Sequence, residues 1–366
     1  MGIRSINNSS AAFRDRFFRT GIDAVNPYSP PAPEASGGNN IYNYTYNSVS
    51  YRIHKFTADG TWTLLNADLA VDILVLGGGG SGGGGDNSNY GAGGGAGGIL
   101  WRPLKTLTPG SYSVTVGGVA TWRNNNTEGL KGNNSVFTGN SYTLTGNGGG
   151  GGSGTGNSNQ NDANMAGGSG GGAGRDSGTR AGGVSNQTNN EDSSATAYGT
   201  NGGIATGTGC TSAGGGGGAG DAGDNGCYDC QTARGGTCSN GGDGIQTLAG
   251  MSTAETKQFF WECRAGTDGT GTTGGTACTS LGSIPSNIYL AGGGAGAYEH
   301  SSVGMMADGG KGGGGRGGSR YGPIAGTHAI ANTGSGGGAG QRYANGGDGG
   351  NGASGLVLIR YNTNQL

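Results

Sequence analysis

Apolar and polar residues alternate in several short stretches of the chain, a pattern typical of β-strands that are buried on one face. Tyr42, Tyr44 and Tyr46 alternate with polar residues. The same alternation occurs over residues 111–116 and 141–145. Because successive side chains of a strand point to opposite faces, each of these segments predicts a strand with one face toward a core.

Two segments are apolar at nearly every position, as expected for central strands that are covered on both faces. Residues 69–76 read LAVDILVL, in which Asp72 is the one charged residue. Residues 355–361 read GLVLIRY and lie close to the C-terminal end. Together with the alternating segments, they predict a mainly β fold with a β-sandwich base to which the last strand returns.

Runs of glycine leave or enter the predicted strands along most of the chain. Residues 77–85, interrupted by Ser81, follow the central strand, whereas 93–98 precede a strand and 148–152 follow one. Polyglycine can form an extended helix of roughly 3.1 Å rise per residue, whose N–H and C=O groups point outward to neighbouring helices. We therefore predict packed polyglycine II helices on the β base, with long polar loops between them.

Composition sharpens this prediction. Glycine contributes 93 of the 366 residues, whereas its usual share is roughly 7%. So much glycine is typical of a disordered chain, but here the apolar residues are concentrated in strand-like runs. The Gly-X-Y period of collagen is absent and only 8 prolines occur, which excludes a collagen triple helix.

Charge and hydropathy exclude several classes of partner. The net charge is −2 and 11% of residues are charged, so there is no basic field to attract nucleic acid. No stretch approaches the roughly 18 apolar residues of a membrane span, and the N-terminus lacks the apolar region of a signal peptide. We expect no nucleic-acid partner and no membrane insertion.

The N-terminal residues differ from the rest and form a separate predicted module. Residues 1–26 predict a short anchor helix, residues 27–40 a Pro/Gly linker, and residues 41–366 the glycine-rich β domain. Aromatic and basic side chains of the helix are the candidates for docking on a partner: Phe13, Arg14, Arg16, Phe17, Phe18 and Arg19. The alternative is a helix that lies on its own domain.

Several ordered motifs resemble a known family. They are DILVLGGGGSGGGG, AGGGAGGIL, LTPGSYSVTVGG, NNSVFTG, TLTGNGGGGG and GGNGASGLVLIRY, and together they cover residues 60–361. This set resembles the glycine-rich domain of bacteriophage tail-fibre and other virion proteins, and polyglycine lattices are also implied by similarity to phage receptor-binding adhesins. The resemblance implies a non-enzymatic virion protein, assembled in the host cytoplasm and acting outside the cell.

The same resemblance implies two kinds of partner. Other virion proteins would bind the N-terminal residues, and a host cell-surface polysaccharide or outer-membrane protein would bind the loops. The alternative is a purely architectural subunit of a virion or extracellular fibril, such as a capsid decoration, neck or fibre component. In that case copies of the chain would pack against one another as a homo-oligomer.

Aromatic residues within the polar segments are the candidates for receptor binding, because loops on a rigid scaffold commonly carry recognition. They are Tyr198, Tyr228, Phe259, Phe260, Trp261, Tyr298, Tyr321 and Tyr343. For residues 259–261 an alternative is a small satellite core under a long loop over residues 250–290. For the tyrosines the alternative is that they cap the edge of the lattice.

Six cysteines fall within residues 210–278 and suggest a stapled, loop-rich region. They are Cys210, Cys227, Cys230, Cys238, Cys263 and Cys278. An even number favours disulfides, for which six cysteines allow about 15 connectivities. Free thiols and a zinc site that includes the Cys227-x-x-Cys230 pair are alternatives, although no histidine lies within the cluster.

No combination of residues predicts catalysis. The G-x-S-x-G matches around Ser81 and Ser169 follow from the abundance of glycine and lack the strand-turn-helix setting of a nucleophile elbow. His54, His300 and His328 are widely separated and are expected to be packing or surface residues. We therefore predict no enzyme activity, no cofactor and no metal ion.

Overall fold

A computed structural model of the chain describes residues 31–86, 90–122, 124, 127–154, 163–175, 178–206, 212–227, 238–269, 276–278, 283–298, 306–320, 324–341 and 347–366. Within these ranges the strands are β1 (Glu34–Ser36), β2 (Asn40–Tyr46), β3 (Val49–Phe56), β4 (Gly60–Leu65), β5 (Leu69–Leu76), β6 (Ile99–Leu107), β7 (Gly110–Thr115), β8 (Ser135–Gly139), β9 (Tyr142–Gly146), β10 (Thr196–Tyr198) and β11 (Leu356–Asn362). One α-helix, α1, spans Thr253–Glu262, and a short 3-10 helix spans Thr363–Gln365. The prediction of a mainly β fold is confirmed, and the predicted anchor helix lies outside the described residues.

Two antiparallel sheets form the base of the molecule. One has the strand order β1-β4-β7-β8-β9 and the other β10-β6-β5-β11-β3-β2. The last strand lies between β5 and β3, with Ile359 opposite Ile73 on one side and His54 on the other. The return of the C-terminal strand to the base was predicted from its apolar sequence and is confirmed.

Alternate residues of the central strand enter two different cores. Ile73 and Val75 belong to the cluster between the two sheets, together with Trp62. Leu74 and Leu76 belong to a second cluster, which contains side chains of α1. A strand covered on both faces must be apolar on both, and each fully buried aliphatic side chain contributes about 1.5–3 kcal/mol to folding.

The helix α1 was not predicted from the sequence, which was interpreted as a long loop over residues 250–290. Its N-cap is Ser252, whose side-chain oxygen accepts the backbone N–H of Glu255 at 3.1 Å. Phe259 and Phe260 are buried against the outer face of the six-stranded sheet. The three consecutive aromatic residues 259–261 do not recur with the period of a helix, so the apolar pattern did not indicate one. In the described part of the chain, no helix has the length and apolar character of a membrane span.

Part of the linker predicted over residues 27–40 belongs to the two sheets. Residues 34–36 form β1, with Ala35 opposite Leu64 of β4, and β2 begins at Asn40. The proline-rich stretch ends at Pro33. The following residues have backbone N–H groups that can join a sheet edge, whereas proline cannot donate to one.

The glycine runs form a lattice in which one segment hydrogen-bonds in three directions. In the segment 77–85, every third backbone N–H donates to the same neighbour, at 2.8–3.1 Å. The three neighbours that accept these bonds are 92–98, 127–133 and 347–353. A period of three residues is that of a polyglycine II helix, so the predicted lattice is confirmed.

The segment 91–98 shows the full packing. Its backbone N–H groups donate to carbonyl oxygens of 147–153, 214–217 and 334–340, and its carbonyl oxygens accept from 77–83, 169–172 and 294–297. Six neighbours around one helix is hexagonal packing. Helices can approach on every side in this way because glycine has no Cβ.

Side chains enter the lattice only where the neighbouring segments leave room. Tyr90, Ala92, Ala213, Ala297 and Ala339 pack into one small apolar cluster. At most other interior positions a Cβ would overlap a neighbouring carbonyl oxygen. The few residues other than glycine within the runs therefore occupy positions where the packing of neighbouring segments leaves space for a side chain.

Candidate binding surface

The glycine segments carry the chain away from the sheets and back, which creates an edge remote from the base. The segment 77–85 follows β5, and the antiparallel segment 91–98 leads into β6, so Tyr90 lies at the end farthest from the sheets. We call this the far edge. Its described members include Asp86, Tyr90, Arg175, Ser212, Cys227, Tyr298, Ser319 and Gln341.

Hydrogen bonds between neighbouring segments hold the far edge in place. Tyr298 forms bridges with Ser212 and Ser319, and Gln341 Nε2 donates to the carbonyl oxygen of Tyr298 at 3.0 Å. The guanidinium of Arg175 lies over the ring of Tyr90, 5.3 Å from its centroid. Four described members of the far edge, namely Tyr90, Ser212, Ser319 and Gln341, are fully buried and form its support. The other four, Asp86, Arg175, Cys227 and Tyr298, are half-buried and can be reached from solvent.

The aromatic candidates for receptor binding are not brought together. Tyr298 lies at the far edge and is half-buried. Tyr198 lies on β10 in the base, where its hydroxyl accepts the N–H of Ala249 at 2.7 Å. Trp261 is half-buried on α1. Tyr228, Tyr321 and Tyr343 lie outside the described residues.

The prediction that Phe259 and Phe260 contact a receptor is wrong, because both side chains are fully buried. Phe259 packs 6.0 Å from Trp101 and 5.7 Å from Phe260, measured between ring centroids. Their cluster includes Leu74 and Leu358 of the central strands. The same cluster contains Cys263, Cys278, Ile288 and Leu290, so the alternative of a core within residues 250–290 is correct in its members, but this core is continuous with that of the base.

A buried ion pair beside α1 was missed by the sequence interpretation. Arg360 on β11 is 5% exposed, and its Nε and Nη2 donate to one carboxylate oxygen of Asp72 on β5, at 2.8 and 2.6 Å. Its Nη1 donates to the hydroxyl of Tyr44 at 2.9 Å and to Glu255 at 3.1 Å. The sequence does contain an indication of this ion pair, because Asp72 and Arg360 are charged residues within strands that are otherwise apolar.

This ion pair forms the floor of a cleft of about 300 Å³. The other carboxylate oxygen of Asp72 accepts the N–H of Leu104 at 2.8 Å, next to an irregularity in the pairing of β5 with β6. Leu104 has a φ of +50° and is 76% exposed at the rim. A leucine in the left-handed region is strained, and the Asp72 carboxylate holds it there.

A second, acidic cleft of about 440 Å³ lies on the side of the lattice. Its polar lining comprises Asp221, Asp224, Asn240, Asp243, Asp308 and Lys311. The ammonium of Lys311 pairs with Asp243 at 2.9 Å, and Arg316 pairs with Asp308 at 3.1 Å. Burial raises the pKa of the Asp224 and Asp308 carboxyls. Among the described residues, no group of His, Cys, Asp and Glu is arranged to hold a metal ion.

The cysteines divide into two kinds. Cys227 and Cys238 form a disulfide that joins two neighbouring lattice segments. Cys263 and Cys278 are buried free thiols, so the structure differs from the disulfide prediction at these two positions. Burial raises the pKa of the Cys263 thiol to about 12 and that of the Cys278 thiol to about 11. Cys210 and Cys230 lie outside the described residues.

Of the two described histidines, His54 is a packing residue and His328 is exposed. His54 is fully buried, and its ring nitrogens hydrogen-bond the carbonyl oxygen of Gly37 at 2.6 Å and the hydroxyl of Tyr361 at 3.1 Å. Burial lowers the pKa of His54. His328 Nδ1 accepts the N–H of Asn351 at 2.9 Å. His300 and the six docking candidates between Phe13 and Arg19 lie outside the described residues.

Comparison with known proteins agrees with the glycine lattice. A family model described as a glycine-rich domain matches residues 56–244, just over half of the chain. The match begins at the end of β3 and includes the lattice segments 77–85 and 91–98. No curated protein matches the chain at a significant level.

Proposed function

Because the chain belongs to the glycine-rich domain family, we propose that it is a non-enzymatic bacteriophage virion protein of the tail-fibre or adhesin type. It docks on other virion proteins through its N-terminal residues and presents its far edge and the acidic cleft to the host surface. It is assembled in the host cytoplasm and acts outside the cell.

The observation that carries this proposal is the far edge itself. Lattice segments such as 91–98 hydrogen-bond to neighbours on all sides, so positions at their ends are fixed relative to the base. Recognition commonly resides on segments that a rigid scaffold positions. The disulfide between Cys227 and Cys238 adds a covalent tie beside Ser212, whose hydroxyl accepts the N–H of Cys227 at 2.7 Å.

Host polysaccharide is the ligand that the surface chemistry favours over an outer-membrane protein. The acidic cleft offers carboxylate oxygens, the Asn240 amide and the Lys311 ammonium to sugar hydroxyls. The ring of Tyr289 lies beside this cleft, 5.2 Å from the ammonium of Lys311. Polar groups of this kind supply orientation and specificity in ligand sites.

Two measurements test the proposal. Mass spectrometry of purified virions is expected to detect the chain as a structural component, and the purified full chain is expected to bind host cells and their isolated envelope polysaccharide. Replacing Tyr298 at the far edge by alanine is expected to weaken binding about tenfold, as for an interface residue worth about 1.4 kcal/mol.

Tyr46→Ala is the matched control, since Tyr46 is, like Tyr298, a half-buried tyrosine but lies on β2 in the base. It is expected to leave binding unchanged. Presence in virions without any binding, together with loss of virion incorporation on deleting residues 1–30, would favour the architectural alternative. The deletion stops at residue 30 because β1 begins at Glu34. Absence of the chain from virions would overturn both.

A further inference from the structure

A third cleft lies where the end of β3 meets the chain that leaves α1. Its volume is about 240 Å³. Its polar lining includes Asn40, Lys55, Thr57, Arg264, Cys278 and Asn332. We call it the Lys55 cleft. It contains no residue of the far edge or of the acidic cleft, so it is independent of the surfaces considered above.

The central feature of this cleft is a buried amino group without an acidic partner. Lys55 is 6% exposed, and its Nζ donates to the carbonyl oxygens of Cys263 at 3.0 Å and Arg264 at 2.8 Å. Among the described residues no carboxylate contacts Lys55. In the sequence, residues 270–275 and 279–282, which lie outside the described residues, contain no Asp or Glu.

Burying an ammonium group without a counter-charge costs several kcal/mol. An ammonium has three N–H groups, and the two carbonyl oxygens accept two of them. The third N–H and the positive charge remain for a ligand. Burial lowers the pKa of Lys55, and the neighbouring Arg264 charge lowers it as well, so an anion bound beside Lys55 would relieve both effects.

Arg264 adds a second positive charge to the cleft, whereas the two neighbouring thiols carry no charge. Arg264 is exposed, and its guanidinium lies over the ring of Tyr42, 5.9 Å from the centroid. The thiols of Cys263 and Cys278 have raised pKa values and are neutral at neutral pH, so they supply no counter-charge. One carboxylate, that of Asp268, lies near Cys278. It accepts the backbone N–H of Thr276 at 2.7 Å.

The rim of the cleft holds two residues in an uncommon backbone conformation. Arg264 has a φ of +54° and Asn332 a φ of +57°. Such conformations persist where the surroundings enforce them, and they are frequent at ligand sites. The side-chain oxygen of Asn332 accepts the hydroxyl of Ser354 at 3.0 Å, so the Asn332 amide can donate its N–H groups into the cleft.

We propose that the Lys55 cleft binds an oxyanion, either a phosphate or a carboxylate group. The ammonium of Lys55 forms its floor, and Arg264 and Asn332 donate from the rim. Hydrogen bonds between ionised donors and an oxyanion are roughly twice as strong as neutral ones. The anion is either a free ion or a charged group of an acidic polysaccharide.

Isothermal titration of the full chain with inorganic phosphate, with acetate and with polygalacturonate tests this proposal, each at constant ionic strength. At least one probe is expected to bind. Arg264→Gln and Lys55→Met are each expected to weaken binding about tenfold or more, since each removes a charged hydrogen bond. Lys131→Met is the control, because Lys131 is another partly buried lysine outside the cleft.

The probes distinguish the sources of the anion. Binding of phosphate or acetate supports a site for the anionic group itself, and binding of polygalacturonate alone supports a site for an acidic polymer. If Lys55→Met fails to fold, the exposed Arg264 provides the variant that decides. Absence of binding by all three probes, or an equal loss in Lys131→Met, would overturn the proposal.

Discussion

Replacing Gly216 by alanine is expected to lower the free energy of unfolding by about 3 kcal/mol or more, the upper range for overpacking a close-packed interior. Gly216 is buried in the lattice, and its N–H donates to the carbonyl oxygen of Gly294 at 2.8 Å. A Cβ on Gly216 would overlap the carbonyl group of Gly94. Because the obstacle is backbone in a neighbouring segment, no side chain can rotate away to relieve it.

Gly178→Ala is the matched control for this experiment. Gly178 is exposed, its φ is not in the left-handed region, and nothing lies within 4 Å of a Cβ built there. Alanine at such a position is expected to be neutral or to stabilise by about 0.4–1 kcal/mol, through the entropy of the unfolded chain. Thermal and denaturant unfolding measure both variants. Equal stability of the two would contradict close packing in the lattice.

Replacing Asp72 by alanine is expected to lower the free energy of unfolding by about 3–5 kcal/mol, because it leaves the buried Arg360 charge without its main partner. The same change removes the acceptor of the Leu104 N–H. Glu255 remains in contact with Arg360 through a single hydrogen bond at 3.1 Å, which cannot replace the two bonds that Asp72 accepts. Denaturant unfolding is the measurement.

Two further variants test whether the loss of stability comes from the unpaired buried charge of Arg360. The double variant Asp72→Leu with Arg360→Met replaces both charges by apolar groups and is expected to recover more than half of the lost stability, since no buried charge remains. Lys311→Met breaks a more exposed pair with Asp243 and is expected to cost less than about 1 kcal/mol. A double variant no more stable than Asp72→Ala would contradict the assigned role of the charge.

The sheets could be predicted from the sequence because their residues differ by face. The alternation of Tyr112 and Val114 with polar residues predicted β7, and the apolar run 69–76 predicted β5. The short strands β1 and β10 have three residues each, too few for a period to be visible. The helix α1 is stabilised by burial of Phe259 and Phe260 rather than by an amphipathic pattern.

The pairing of Asp72 with Arg360 illustrates what a single sequence leaves open. Each residue stands out as a charge within an apolar strand, which suggests that each needs a partner. Their pairing depends on the register of β11 against β5, which places Arg360 opposite Asp72. That register joins residues at opposite ends of the chain, and no local pattern specifies it.

The arrangement of the lattice could be predicted only in kind. Glycine runs predict polyglycine II helices, but one run is chemically the same as another, so neighbours cannot be assigned from the runs themselves. In the structure, the residues other than glycine within the runs distinguish one segment from another and so specify which segments are neighbours. The hydroxyl of Ser81 accepts the N–H of Leu130 at 2.8 Å, and Ala92 packs with Ala339.

Hydrogen–deuterium exchange at the backbone amides of residues 91–98 tests the polyglycine lattice most directly. Each of these N–H groups donates to a carbonyl oxygen of another segment, so we expect protection comparable to that of the central strand β5. Exchange is governed by local opening, which is slow in cooperative cores and fast in mobile loops. Exchange at the rate of an unstructured peptide, with β5 still protected, would contradict the lattice and with it the fixed far edge.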